Sequence, residues 1–533
     1  MNCKTTFVAG LMAVAMTTAS RADLVISSAA TQNVDCNGGT CSATAPRATL
    51  NVADLNAMLA QGSVTISTLN IAKAIDVEAS FSWTNQNRLT LDAYQSVTIK
   101  RPVVVAGTGA MTILTNRGDI GGDLRFQGSG RLEFWDLTSG LVINAKSYHL
   151  VDSISSLASK IAAHPSGFYA LARNYNAKKD GIYRRSPIST TFTGTFEGLG
   201  NTISGLAIDV SDDLYAGLFE EVDTGGVLRD VRLKKANLQF PNSGLSAGTL
   251  LGVGKGARII GAEADGIVSA PGASSSGILV GNMEFGEIDY STSSGSVTGT
   301  TDVGGLAGMT YDSWIRWSSS SAAVSGAGAK ARVGGLVGYI YSTQGPAYGV
   351  DHSFATGTVR ATGPEYAGGL VGSTYTALIS NSYATGSVTG VDGLRVGGLV
   401  GWGQGSIMNA YATGSVTAGK NSSVGGLAGY KDQPVDAAYS TGAVSAGSGS
   451  YLGGSIGEDG AGSNENEAIY WDLDTSGVSD PSKGAGNVAN DGGVSGLTSQ
   501  QLRSGLPAGF LSTVWAQNPT INNGFPYLVG MAP

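Results

Sequence analysis

Charge is scarce in this chain: lysine, arginine, aspartate and glutamate make up 14% of its 533 residues, against roughly 25% in ordinary soluble chains. What charge there is leans acidic, with a formal net of −8. No basic stripe is available to neutralise phosphates, which argues against nucleic acid and against an anionic membrane surface as partners. Histidine occurs three times, at His149, His164 and His352, never in the HExxH pattern of a zinc protease. Cysteine also occurs three times, too few for a disulfide-dense scaffold or a four-cysteine zinc site. After the N-terminus, no apolar run reaches the ~18 residues of a membrane-spanning helix.

The one residue in excess is glycine, with 80 positions, and it comes without the triplet period of collagen. Many tight turns or close backbone approaches are the remaining reason for it. The N-terminus has the three parts of a signal peptide. Lys4 supplies the charge, Phe7 to Met16 the apolar stretch, and Ser20-Arg21-Ala22 the small residues of a cleavage site. Residues 1–22 are therefore expected to be removed on export, with Cys3 among them. Cys36 and Cys41 remain, separated by Asn37-Gly38-Gly39-Thr40, a turn that brings the two sulfurs together. In an exported chain this pair predicts a disulfide. The competing reading, half of a metal site, lacks a second cysteine pair or a nearby histidine.

The glycines are periodic. Gly304-Gly305-Leu306-Ala307-Gly308 returns as Gly334-Gly335-Leu336-Val337-Gly338, then from Gly368, Gly397 and Gly425, and in degraded form from Gly453. Weaker copies start at Ala216, Gly248 and Gly277. A second phrase keeps a steady phase between them: Asn381-Ser382-Tyr383-Ala384-Thr385-Gly386-Ser387-Val388, again from Asn409 to Val416, and more loosely up to Val297, Val324, Val359 and Val444. Units of about 28 residues, holding short runs of alternating residues and no amphipathic helix, exclude helical repeats, and they are too short for propeller blades. They predict an all-β fold, a right-handed parallel β-helix in which each strand pairs with its copy one rung away, about 4.8 Å along the axis. Small residues at Ser353, Ser382, Ala410, Ala438 and at Ala355, Ala384, Ala412, Ser440 then form inner columns, where a large side chain would meet its own copy.

These phrases closely resemble the GLUG repeats of large exported bacterial surface proteins, over roughly Ala216 to Gly477. Residues 48–200 are similar to the segment preceding such repeats in filamentous-haemagglutinin-type exoproteins, with extended runs such as Leu89-Thr90-Leu91-Asp92 and Val97-Thr98-Ile99-Lys100. The resemblance implies a secreted or cell-surface adhesin or matrix protein. The expected organisation is a signal peptide (1–22), an N-terminal β-helical or capping segment (23–200), the repeat β-helix (201–477) and a C-terminal cap (478–533). Short helices are expected at 52–60 and 154–163, the second lying across the coil as an insertion. A third should begin at the Thr498-Ser499-Gln500-Gln501 capping box.

Catalytic chemistry is hard to find. Gly-x-Ser-x-Gly matches at Gly244–Gly248 and Gly453–Gly457 fall on the repeat glycines themselves. Aligning the rungs puts Asp289, Arg316, Asp351, Ser380, Met408 and Asp436 in one column. Its two nearest carboxylates stand two rungs apart, about 9.6 Å, at the limit for an inverting glycosidase and too wide for a retaining one. Arg316 between them is expected to depress both, the wrong direction for a general acid. Asp472-Leu473-Asp474-Thr475-Ser476-Gly477 matches the opening of a calcium loop, but Lys483 stands where the closing glutamate belongs, and a rung turn explains the phrase as well. No cofactor is expected.

The most suggestive surface feature is an outward column, Phe354, Tyr383, Tyr411 and Tyr439, flanked by threonines. Such a strip suits sugar rings, and it is equally able to be a stacked ladder that only stabilises the coil. The expected protein is therefore a monomeric, non-enzymatic binding protein with extracellular glycans or cell-surface molecules as partners. A polysaccharide lyase or glycosidase on the same coil, and a ligand-free spacer, are the alternatives.

Overall fold

A computed structural model of the chain describes residues 23–211, 213–363, 365–460 and 466–531; the predicted signal peptide, residues 1–22, lies outside them. The strands are only two to eight residues long, so each rung turns several corners. A typical rung has five arms: 378–380, 382–384, 388–390, 395–397 and 400–404. Each arm pairs in parallel with its copy in the next rung, as in Ile379↔Ile407, Tyr383↔Tyr411, Val388↔Val416, Val396↔Val424 and Val400↔Ala428. The result is a right-handed parallel β-solenoid of about 16 turns. Ile379, Val388, Val396, Leu399 and Val400 point inward and are fully buried, each worth about 1.5–3 kcal/mol removed from water.

Both sequence phrases are explained by one contact inside the coil. A Cβ on the second glycine of the glycine phrase would stand 2.9 Å from the Ala355 Cβ at Gly335, and 3.0 Å from those of Ala384 and Ala412 at Gly369 and Gly398. The glycine arm and the alanine column are thus pressed together across the interior. Smallness at these columns is set by the facing glycine as well as by the copy one rung away. The last glycine of the phrase makes the second close approach: at Gly372 a Cβ would meet the Val333 backbone nitrogen at 2.5 Å.

The chain forms two successive cores rather than one. Leu24–Ser27, Ala48–Asn51, Ile75–Val77, Val97–Ile99 and Leu124–Phe126 stack in the first, and helix α1 (Val52–Gln61), capped by Asn51, adds Leu55 and Leu59 to it. Cys36 and Cys41 face each other across a hairpin at its edge and are joined by a disulfide. At Asn144-Ala145, both at positive φ (45° and 63°), a two-residue turn reverses the chain. The returning strand, Lys146–Val151, is antiparallel to Gly140–Ile143 and then parallel to Phe168–Leu171. Leu150 and Ala170 belong to the first core, while Val151, Tyr169 and Leu171 belong to the second. Chain direction and core side switch together, and that combination preserves the sense of winding. The second core therefore begins at this hairpin, ahead of the expected boundary at 200/201.

Helix α2 (Ile154–Ala163) departs from its expected role. Ile154, Leu157 and Ile161 are buried in the second core, so it is part of that core and not an insertion across it. Helix α3 (Ser499–Arg503) starts with the expected reciprocal cap between Thr498 and Gln501. The last partial rung is completed by Val494–Leu497, which pairs with residues 469–472. Residues 498–531 do not close the end of the coil. They run back along its side.

Candidate binding surface

The predicted ring column is built as the repeat implies, with ring centroids 4.8, 4.7 and 5.2 Å apart from Phe354 through Tyr383 and Tyr411 to Tyr439. It is not an open strip. Tyr383, Tyr411 and Tyr439 are fully buried beneath Leu502, Phe510, Trp515, Phe525 and Leu528, and Phe354 is half-buried at the margin. The Tyr439 hydroxyl donates to the Pro526 carbonyl (2.6 Å), Tyr470 donates to the Ala508 carbonyl (3.0 Å), and the Trp515 indole donates to Asn409 Oδ1 (3.2 Å). A row of flat rings is an apolar surface, and the C-terminal segment removes it from water. The column anchors that segment and has no face left for an external ligand.

The calcium-like phrase also serves this segment. Asp472 Oδ2 accepts from Ser499 Oγ (2.5 Å), Asp474 Oδ2 accepts from the Ser499 backbone N–H (2.8 Å), and Asp472 Oδ1 accepts from the Asp474 N–H (2.9 Å). Two carboxylates thus hold the first turn of α3.

The charged column is aligned as expected, Asp289↔Arg316↔Asp351↔Ser380. Arg316, however, turns its fork to one side, donating to both Asp289 oxygens (2.9 and 3.0 Å) and pairing with Glu287 (3.1 Å). Asp351 accepts from His352 Nδ1 (2.7 Å), Ser380 Oγ (2.7 Å) and Asn381 Nδ2 (2.8 Å). Burial pushes Asp351 up, but these three bonds outweigh it and hold its carboxyl below the usual range. The depression expected from Arg316 comes instead from hydrogen bonds of His352 on its own rung and of Ser380 and Asn381 on the next.

Two aromatic strips missed in the sequence border this charged face. One is Phe285, Tyr311, Tyr341 and Tyr375. Its three tyrosines stack at 5.3 and 5.0 Å, and Phe285 stands edge-on to Tyr311 at 77°. The other is Tyr290, Trp317 and His352, with centroids 6.3 and 4.0 Å apart. Between them lie Glu287 and Asp289, Trp314 and Arg316, and Asp351, while Ile288, Ile315 and Val350 of the same arms point into the core. Rings stacked at 5 Å cover each other's faces, so the tyrosine row offers edges and hydroxyls. Phe285 stands edge-on to its neighbour and the Tyr290–Trp317 step is wider at 6.3 Å, so these rings are the least covered by stacking. Phe285 and Tyr290 are 60% and 57% exposed, and both lie on one rung.

Phe285, Tyr290 and Trp317 also carry left-handed backbone, with φ of 55°, 53° and 53°. A bulky residue in that region costs on the order of 1–3 kcal/mol. Other rungs turn the same corner as Tyr290 with Gly261, Asn381 and Asn409, residues that adopt it at lower cost, and with Ala437 and Ala468. No sequence signal marks Tyr290 and Trp317, because the residue at this corner changes from rung to rung while only its left-handed backbone recurs.

Among protein families, the GLUG motif matches residues 363–389 and 392–417. A stretch of 132 residues is 34% identical to halomucin of Haloquadratum walsbyi (strain DSM 16790 / HBSQ001), spanning 25% of this chain and 1% of halomucin. A crystal structure from Bacteroides ovatus, of a protein provisionally assigned as an immunoglobulin A1 protease, covers 72% of this chain and 92% of its own, at 18% identity and a TM-score of 0.35. The chain thus carries the GLUG motif on consecutive rungs of its second coil.

Proposed function

We propose that this is an exported surface protein that works by binding rather than catalysis, and that its ligands are extracellular glycans held on the face between the two aromatic strips. The observation that supports this most is the placement of exposed aromatic rings at strained left-handed corners, where glycine or asparagine would serve the fold at lower cost. Strain retained at an exposed site is a mark of function. Flat ring faces at Phe285 and Tyr290 suit the apolar faces of sugars. Glu287 and Arg316, both partly exposed, supply the hydrogen-bonding groups between them. The GLUG motif, the halomucin likeness and the signal-peptide pattern of residues 1–22 are in keeping with a cell-surface location, and the likeness to filamentous-haemagglutinin-type exoproteins with adhesion.

A glycan array probed with the purified protein and with the Tyr290→Asn, Trp317→Asn double variant tests the proposal. Asparagine already occupies this corner at Asn381 and Asn409, so the variant should keep its melting temperature or gain up to about 1 kcal/mol, while losing glycan binding. Undiminished binding by the variant, or no binding by the parent protein, rejects the site.

A further inference from the structure

One inward column of the second core ends in an unusual way. From rung to rung it reads Met283, Thr310, Ile340, Thr374, Gly403, Lys431 and Asp459, each in register with the next. Lysine and aspartate stand as direct cross-rung neighbours on an interior face. Their side chains are 1% and 0% exposed, with Lys431 Nζ 3.2 Å from Asp459 Oδ2. Apart from this ion pair, Nζ has no well-formed hydrogen bond among the described residues. Asn466 Nδ2 donates to the same Asp459 oxygen at 2.9 Å and reaches Asp491 Oδ1 at 3.4 Å, which sets Asp491 beside Asp459. The Asp459 backbone is pinned on both sides by Asn487, whose Oδ1 accepts from the Asp459 N–H (2.8 Å) and whose Nδ2 donates to its carbonyl (2.9 Å).

We propose that Lys431 and Asp459 condense into an intramolecular isopeptide bond, Nζ to Cγ, that welds two adjacent rungs near the C-terminal end of the coil. A buried ion pair whose ammonium has no other well-formed hydrogen bond among the described residues is costly, and the amide replaces both charges with one neutral group. Transfer of a proton from Nζ to the Asp459 carboxylate gives the neutral amine and acid from which an amide can form. The Nζ lone pair then attacks Cγ and the C–O bond breaks. The departing oxygen leaves as water, carrying both protons that Nζ loses, so no oxidant, nucleotide or metal is consumed. Asp491, pushed up to about 6 chiefly by burial, relays the proton. Asn466 Nδ2 stabilises the oxygen on which charge gathers as Cγ becomes tetrahedral.

The test is proteolysis and mass spectrometry of the purified full chain, independent of any glycan. The expected result is a branched peptide joining the segments of Lys431 and Asp459, lighter than the two together by one water, with no tryptic cleavage after Lys431. Asp459 precedes Gly460, and such a pair can also lose water by closing to a succinimide. Hydroxylamine opens a succinimide and leaves the amide intact, and Lys431→Met abolishes only the amide. Asp491→Asn should slow bond formation by about a hundredfold, read as the fraction of linear chain remaining after refolding. Separate linear peptides from the parent protein, with tryptic cleavage at Lys431 and an unmodified Asp459, overturn the proposal. A water loss that survives Lys431→Met does the same.

Discussion

At Ala384 the interior has room for one methyl group and little more. The facing Gly369 could not carry even a Cβ without standing 2.0 Å from the Gly398 carbonyl oxygen and 3.0 Å from the Ala384 Cβ. Ala384→Leu should therefore destabilise the coil by at least about 1–3 kcal/mol through overpacking, measured by urea denaturation. The exposed Thr389 on the same rung should accept Leu within about 0.5 kcal/mol. Equal effects at the two positions would show that the pinch between glycine arm and alanine column does not set residue size. The same fineness separates the two kinds of tyrosine in this protein. Tyr411 faces out of its arm and is buried, while Tyr375 faces out of its own arm and is 39% exposed. The difference lies in what covers each, since both alternate outward.

Coverage is a property of elements, and the segment 498–531 supplies it. Tyr383→Ala combined with Tyr411→Ala removes two rings from beneath Trp515 and Phe510. Large-to-small changes of this kind cost about 3–5 kcal/mol each when fully buried. The double variant should accordingly lower the unfolding midpoint and expose residues 498–531 to limited proteolysis, while the rungs resist cleavage. A variant with parent stability and an uncleaved tail would remove the anchoring role. The ring ladder itself was legible in the sequence because tyrosine recurs at fixed phase, as were the inner alanines and the Thr498/Gln501 cap. The cover was not, because it has no repeat partner and its key contacts, such as Tyr439 to Pro526 and Trp515 to Asn409, join positions far apart in the chain. The corner strip was hidden for the opposite reason. Its column changes identity at nearly every rung, from Gly261 through Tyr290, Trp317 and His352 to Asn381, so only the backbone conformation repeats. The hairpin at Asn144-Ala145 is not legible in the sequence, because one turn inside a run of extended segments leaves no trace in their periodicity.

Where the two coils meet, the molecule as a whole acquires a dependence on pH. Arg229 of the second coil reaches Asp123 of the first at 2.6 Å, with Glu197 3.4 Å away on its other side. Asp230 lies beside Glu197, and Arg232 and the phenol of Tyr148 also face the cluster electrostatically. Burial is the main cause that raises Glu197 well above the ordinary carboxylate range and Asp230 to about 7. Both acids therefore bind protons more tightly in the folded protein than in the unfolded chain. Between the ordinary carboxylate range and about pH 7 the native state holds the extra protons, so stability is greatest at the acid end of this window and falls as pH rises through it. Asp302 and Asp491, each raised to about 6 chiefly by burial, add in the same sense. Asp351, held low by its hydrogen bonds, opposes them weakly from a lower pH range. Thermal melts at about pH 5 and about pH 8 should show the lower midpoint at the higher pH. Asp230→Asn, which cannot ionise, should narrow that difference by raising the midpoint at pH 8 more than at pH 5. A parent protein that melts higher at pH 8, or an Asp230→Asn variant with the full pH dependence, would mean that the junction carboxylates do not control how firmly the two coils are joined.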